Sequence, residues 1–192
     1  MIKTMDKQII TAFKRGTTEL QGQLINPYQR DGVLWLLSRE FSPTRKGGFL
    51  CDEMGLGKTI QLITIMLANP QPRTLVVVPV SVLSQWESEI NKFAPNLRVY
   101  IHHGHNREMN INNIPEFDVF ITTYSLMRLK DLDQITPFRY LWNRVILDEG
   151  HEIRSSKSKT NKNINLLTTD IRWCVTGTPV FNNIKDFVTL AG

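Results

Sequence analysis

The run Thr74–Val78 (TLVVV) is the strongest constraint on what this chain can fold into. It has the length of a strand and is β-branched and apolar on both faces, so it has to be covered on both sides. The interior of a parallel sheet provides that cover. Similar runs recur at Gly48–Cys51, Arg98–Ile101, Asp118–Ile121, Arg144–Leu147 and Trp173–Val175. Segments with helical spacing lie between and after them: about Lys58 to Leu67, Val82–Phe93 with Trp86 and Ile90 four apart, Tyr124–Leu129, Lys159–Leu167 and Asn183–Leu190. Repeated strand–helix alternation predicts an α/β fold, a three-layer sandwich with a mainly parallel central sheet.

Ahead of the first strand, Met1–Gln23 reads as an N-terminal extension, either a short helix or a frayed end. Asn26-Pro27 marks a helix start, with Val33, Leu34 and Leu37 beside Trp35 as its apolar face. Ser42–Gly48 and the Asn-rich 106–113 stretch read as loops. The 192 residues suit one domain, placed at 24–192. No run approaches the roughly 18–20 apolar residues of a membrane span, and charges scattered through Met1–Arg15 do not read as a signal peptide. A soluble, intracellular protein with no membrane partner is expected. Cys51 and Cys174 read as reduced core thiols. The net charge of +5 and pI near 9.3 suit an anionic partner such as DNA or RNA without establishing one.

In parallel sheets ligands bind beyond the carboxyl ends of the strands, and the unusual residues fall there. Asp52-Glu53-Met54-Gly55-Leu56-Gly57-Lys58-Thr59 stands between a strand and a helix. Its glycines let backbone N–H groups approach phosphate oxygens, and the helix adds its positive end. Lys58 would reach the β- and γ-phosphates and the Thr59 hydroxyl would bind Mg²⁺. Asp52 stands where the strict phosphate-loop pattern has Gly. Asp148-Glu149-Gly150-His151 ends another strand. Asp148 there can hold Mg²⁺ and Glu149 can orient or deprotonate the attacking water. Thr176-Gly177-Thr178-Pro179 follows a third strand, where hydroxyl groups could relay the phosphate state, although a tight turn would read the same. His102, His103 and His105 could bind a metal but read more simply as a solvated loop. Arg154, Lys157 and Lys159 could grip phosphates or line a solvated loop.

Taken in order and spacing, DEMGLGKT at Asp52–Thr59, VVVPVSVLSQWESEI at Val76–Ile90, TTYSL at Thr122–Leu126, DEGH at Asp148–His151 and TGTP at Thr176–Pro179 closely resemble the SWI/SNF-type ATPases, superfamily 2 DNA translocases that include chromatin remodellers. LINPYQRDGVLWL (Leu24–Leu36) looks like their adenine-side motif, with Gln29 its glutamine. WNRVILDEGHEIRSSKSK followed by RWCVTGTP looks most like the helicase-like transcription factor subgroup, and Gly150, where many members carry Ala, is compatible with it. Phe181 stands where a Gln is common.

The resemblance implies a RecA-like phosphate-loop fold that uses ATP and Mg²⁺. Gln29 would read adenine, and Asp52–Thr59 would bind the triphosphate. Lys58, Asp148 and Glu149 would be catalytic, with Thr59 and Asp148 on the metal. His151, Thr176, Gly177 and Thr178 would couple hydrolysis to DNA. Ser81 and Thr123 would touch the DNA backbone, with Arg154, Lys157 and Lys159 as further candidates. The implied partner is double-stranded DNA, chromatin included, and the implied setting is a monomer in the nucleus, or in a host cell if the gene is viral. Members carry a second lobe that supplies arginine fingers, which nothing in residues 24–192 matches. Weak nucleotide binding and almost no hydrolysis are therefore expected of these 192 residues alone. The alternative is a non-catalytic fragment that binds nucleotide, DNA or a partner without turnover. A small-molecule kinase would share the loop but would not need DEGH and TGTP at separate strand ends.

Overall fold

A computed structural model describes residues 6–44, 46–104, 116–128, 140–153 and 158–177. His105, the 106–113 loop, Leu129, Arg154, Lys157, Thr178, Pro179 and the expected helix at 183–190 lie outside those residues, as does the side chain of His151.

Within the described residues six strands form one sheet: β1 (Gly47–Leu50), β2 (Thr74–Val78), β3 (Val99–His102), β4 (Val119–Thr123), β5 (Trp142–Asp148) and β6 (Thr169–Val175). Their order is β1-β6-β5-β2-β4-β3 and every pairing is parallel. Among the described residues five helices accompany them: α1 (Lys7–Glu19), α2 (Pro27–Glu40), α3 (Lys58–Ala68), α4 (Leu83–Phe93) and α5 (Lys159–Ile164). All five residues of β2 are buried, as their composition requires.

Alternate strand residues feed two cores. Val76, Val78, Ile146, Trp173 and Val175 face α1–α4, and Leu75, Val77, Val145, Leu147 and Cys174 pack with Ile164, Leu167 and Met127 on the other side. The sandwich therefore has three layers. Within it every residue of α3 from Gln61 to Ala68 is buried, and only its first turn is half-buried. A helix that is apolar all round needs cover on the side away from the sheet, and α1 and α2 supply it. The residues read as a helix or a frayed end thus contain a 13-residue helix whose Gly16 packs against Ala68.

Three local expectations change. The buried face of α2 is Val33, Leu36 and Leu37, while Trp35 is 44% exposed and rests against Trp173, ring centroids 5.6 Å apart. The segment read as a helix from Tyr124 is a single 3-10 turn at Leu126–Arg128. Its start is taken by the sheet, since the Tyr124 N–H donates to the Val78 carbonyl. Cys51 is exposed, so only Cys174 is a core thiol, and burial pushes its pKa up to about 12.

Candidate functional site

Because every strand runs the same way, the strand-end segments form one row. In sheet order they are the 51–57 loop after β1, Thr176-Gly177 after β6, Asp148–Gly150 at β5, Pro79–Val82 after β2, and Thr123–Ser125 after β4. The first three are neighbours because β1, β6 and β5 are neighbours. The Thr176 N–H donates to the Leu50 carbonyl at 3.1 Å. A side chain at Gly177 would meet Met54 Cγ at 3.2 Å, so this segment lies directly against the loop.

The 51–57 loop ends at Gly57, which caps α3 in a left-handed conformation at φ 79°. A Cβ there would also lie 2.4 Å from Gln29 Nε2, so backbone angle and space both call for glycine. The free N–H groups of the first turn of α3 open toward the same place. The Lys58 ammonium donates to the carbonyls of Asp52 at 2.8 Å and Glu53 at 3.0 Å, which folds the loop around it. The Asp52 carboxylate accepts from Gln61 Nε2 at 2.9 Å. Asp52, where the strict pattern has glycine, is thus tied to α3.

Gln29, near the start of α2, is almost fully buried. Its Oε1 accepts from the Asn26 N–H at 3.2 Å and its Nε2 donates to the Leu56 carbonyl at 3.2 Å. It joins α2 to the loop.

Across the cleft, Asp148 is held from three directions. Its Oδ2 accepts from the Trp86 indole N–H at 2.6 Å, its Oδ1 accepts from the Glu149 N–H at 2.9 Å, and its carbonyl accepts from the Tyr124 hydroxyl at 2.7 Å. Burial raises its pKa, against the lowering effect of the Trp86 and Glu149 N–H donors and of Lys58. Glu149 has φ 49°, the one positive φ among described non-glycine residues, which swings it out of the strand line. A cleft of about 380 Å³ is lined by Gly55, Gly57, Lys58, Thr59, Trp86, Asp148 and Glu149 among others.

That donor set fits a phosphate group with a hard cation. Lys58 and the helix end supply positive charge, while Thr59, Asp148 and Glu149 supply oxygen. Among the described residues no group of three His, Cys, Asp or Glu could hold a metal alone. Mg²⁺ commonly takes one or two carboxylates and completes its shell with water and phosphate, so two acids and a hydroxyl suffice.

The other expected residues divide. Thr176 is buried and Gly177 partly so. Ser81 is exposed in the Val80–Val82 turn and Lys159 is exposed at the start of α5. Thr123 is fully buried, its Oγ1 2.8 Å from Ser125 Oγ, and it is Ser125 that faces solvent. His102 is not in a solvated loop: it is buried on β3 against Phe120, its Nδ1 3.3 Å from Thr122 Oγ1. Sequence reasoning singled out neither Trp86 nor Gln61 as a site residue. Trp86 reads as a member of an apolar helix pattern and Gln61 as one polar residue within a helix, and their partners lie 62 and 9 residues away.

A sequence model of the SNF2-related domain matches residues 28–191. The chain is similar to an ATP-dependent helicase of Schizosaccharomyces pombe, 33% identical over 219 aligned positions that take in 99% of this chain and 21% of the helicase. It is 34% identical to the human DNA excision repair protein ERCC-6-like, over 90% of this chain and 14% of that protein. Among solved structures it is similar to the Sulfolobus solfataricus SWI2/SNF2 ATPase core in complex with double-stranded DNA, with a TM-score of 0.76, 31% identity, and 90% of this chain and 36% of that one covered. The chain therefore spans about a fifth or less of the length of these curated relatives.

Proposed function

The chain belongs to the SNF2-related family, and on that premise we propose that it is the ATP-binding first lobe of a DNA-dependent ATPase that couples hydrolysis to movement along double-stranded DNA. The observation that carries this reading is the single cleft shared by Lys58, Thr59, Asp148 and Glu149, which come from two strand ends 90 residues apart in sequence. The DNA-bound relative supports the choice of polymer.

ATP with Mg²⁺ supplies the phosphoryl group to be transferred and the positive charge that steadies its oxygens. The protein's own residues bind and orient. Lys58 would leave the Asp52 and Glu53 carbonyls for phosphate oxygens, a charge-assisted exchange. Thr59 and Asp148 would hold the metal. Glu149, turned out of the strand by its backbone, would accept a proton from the attacking water. Gln29, bonded to the loop, would carry adenine recognition into loop position. Thr176 and Gly177, lying against Met54, would pass loop position toward the Ser81 and Ser125 surface, where a DNA backbone would lie. Nuclear residence and a chromatin or repair setting follow from the family.

The test is ATP hydrolysis with and without duplex DNA, by these 192 residues and by a longer chain that carries the second lobe. The longer chain should be stimulated by DNA and silenced by Glu149→Gln. The short one should stay near background, since an arginine finger is worth roughly 10³–10⁵ in rate. Nucleotide binding without turnover in both would favour a non-catalytic module instead.

A further inference from the structure

Trp86 is 1% exposed and lies on α4, yet its indole N–H ends on the carboxylate of Asp148 at 2.6 Å. Resting on the nucleotide-site reading above, we propose that Trp86 is a positioning residue for the metal-holding carboxylate of Asp148.

A buried indole needs an acceptor, and any nearby carbonyl would serve. Here it has the carboxylate of Asp148, which lines the phosphate cleft together with Glu149. The two donors on Asp148 are complementary. The Glu149 N–H fixes Oδ1 from the chain itself, and Trp86 fixes Oδ2 from a different layer of the fold. With both oxygens held, the carboxylate cannot rotate about its terminal torsion, while each oxygen keeps a lone pair for a further partner. Carboxylates that bind metals are commonly held in this way by hydrogen bonds from outside the coordination shell, and loss of such a partner costs about 10-fold or more in metal affinity. Trp86 also lines the cleft wall beside Thr59 and Glu149, so its ring sets the shape of the space as well as the angle of the acid.

The fold contains its own control. Trp173 makes the same kind of bond, indole N–H to Glu40 Oε1 at 2.9 Å, but its acceptor is a fully buried acid tied to Arg144 rather than one lining the cleft. Trp86 and Trp173 are two of four tryptophans, so their indole signals can be followed individually in a ¹⁵N-labelled 192-residue chain.

Three measurements test the assignment. Asp148→Asn should move the Trp86 indole resonance and leave that of Trp173 in place. Mn²⁺ added with ADP should broaden the Trp86 indole at concentrations that leave Trp173 sharp. Trp86→Phe, which keeps a buried ring and removes the N–H, should reduce by about 10-fold the factor by which Mg²⁺ tightens ADP binding, taken as the ratio of binding with and without the metal in that same variant. A Trp86 resonance indifferent to Asp148→Asn, or a folded Trp86→Phe chain with an undiminished Mg²⁺ effect, overturns the inference. If Trp86→Phe does not fold, the two resonance measurements decide. The Gly57 amide reports the nucleotide site itself. If Mn²⁺ with ADP broadens Gly57 in a Lys58-dependent way and spares Trp86, only this inference fails. If it broadens neither, the nucleotide reading fails and this inference falls with it.

Discussion

Arg144 donates twice to Glu40, Nε to Oε1 at 2.7 Å and Nη2 to Oε2 at 2.5 Å, with neither side chain exposed. The pair joins β5 to the end of α2 across 104 residues of sequence. The Trp173 indole and the Asn69 amide donate to the same carboxylate, and Arg144 also reaches the Asn69 carbonyl. Removing one member leaves the other charge buried. Glu40→Gln or Arg144→Met should therefore each cost about 3–5 kcal/mol in urea denaturation. Glu40→Leu combined with Arg144→Met should recover only part of this, since the Trp173 and Asn69 donors still lose their acceptor at about 1–3 kcal/mol each. Single replacements that cost under about 1 kcal/mol would show that the network is not closed to water.

Gly150 is shaped to Cys174. A Cβ at position 150 would lie 2.3 Å from Cys174 Sγ. The two residues sit on adjacent strand ends in the inner core. Gly150→Ala should then destabilise the chain by about 1–3 kcal/mol through overpacking, and Cys174→Ala should relieve most of it in the double variant. Additive effects in that cycle would contradict the contact.

Asp118 and Arg98 tie the starts of β4 and β3 together, Arg98 Nη2 to Asp118 Oδ1 at 3.0 Å with the Arg98 N–H also on Oδ2. Burial alone would raise the Asp118 pKa, but the hydrogen bonds and charge of Arg98 outweigh it and hold the pKa below its ordinary 3.8. A depressed folded pKa means that the stabilisation is complete above the ordinary value and is lost as pH falls through the folded one. Asp118→Asn should accordingly lower stability at neutral pH, with the gap to the parent closing only below pH 3.8. A gap independent of pH would assign it to shape rather than charge.

Glu149 occupies a left-handed conformation at φ 49°. Asn tolerates that region better than other branched or long side chains. Glu149→Asn should exceed the parent in melting temperature while losing turnover in the longer chain, whereas Glu149→Gln should lose turnover with no gain in stability. Equal melting temperatures for both variants would mean that the turn stores no strain.

Much of this architecture is legible in the chain because parallel strands are buried on both faces and so stay apolar throughout. Thr74–Val78 falls where its composition places it. Strand β6 starts four residues before the apolar run at Trp173, because Asp170 and Arg172 interrupt the pattern. The Arg172 guanidinium is accommodated by donating to the Ile164 and Leu167 carbonyls, eight and five residues earlier at the end of α5 and just after it, an arrangement that residue pattern alone does not signal. The sequence leaves α1 open between a helix and a frayed end, because Gly16 and a Thr pair are weak helix formers; the packing against α3 decides for the helix. The phosphate loop and the Asp148–Glu149 pair were visible because their residue types are unusual at strand ends. The orientation of the acid was not, because Trp86 is apolar in pattern and acts through one N–H atom.

The central claim is that Lys58, Thr59 and Asp148 form one nucleotide site. It is tested most directly by titrating fluorescent ADP with Mg²⁺ into the 192-residue chain, its Lys58→Ala variant and its Glu149→Gln variant. The parent and Glu149→Gln should bind with similar affinity and Lys58→Ala should show no saturable binding. Equal binding by Lys58→Ala would contradict the site.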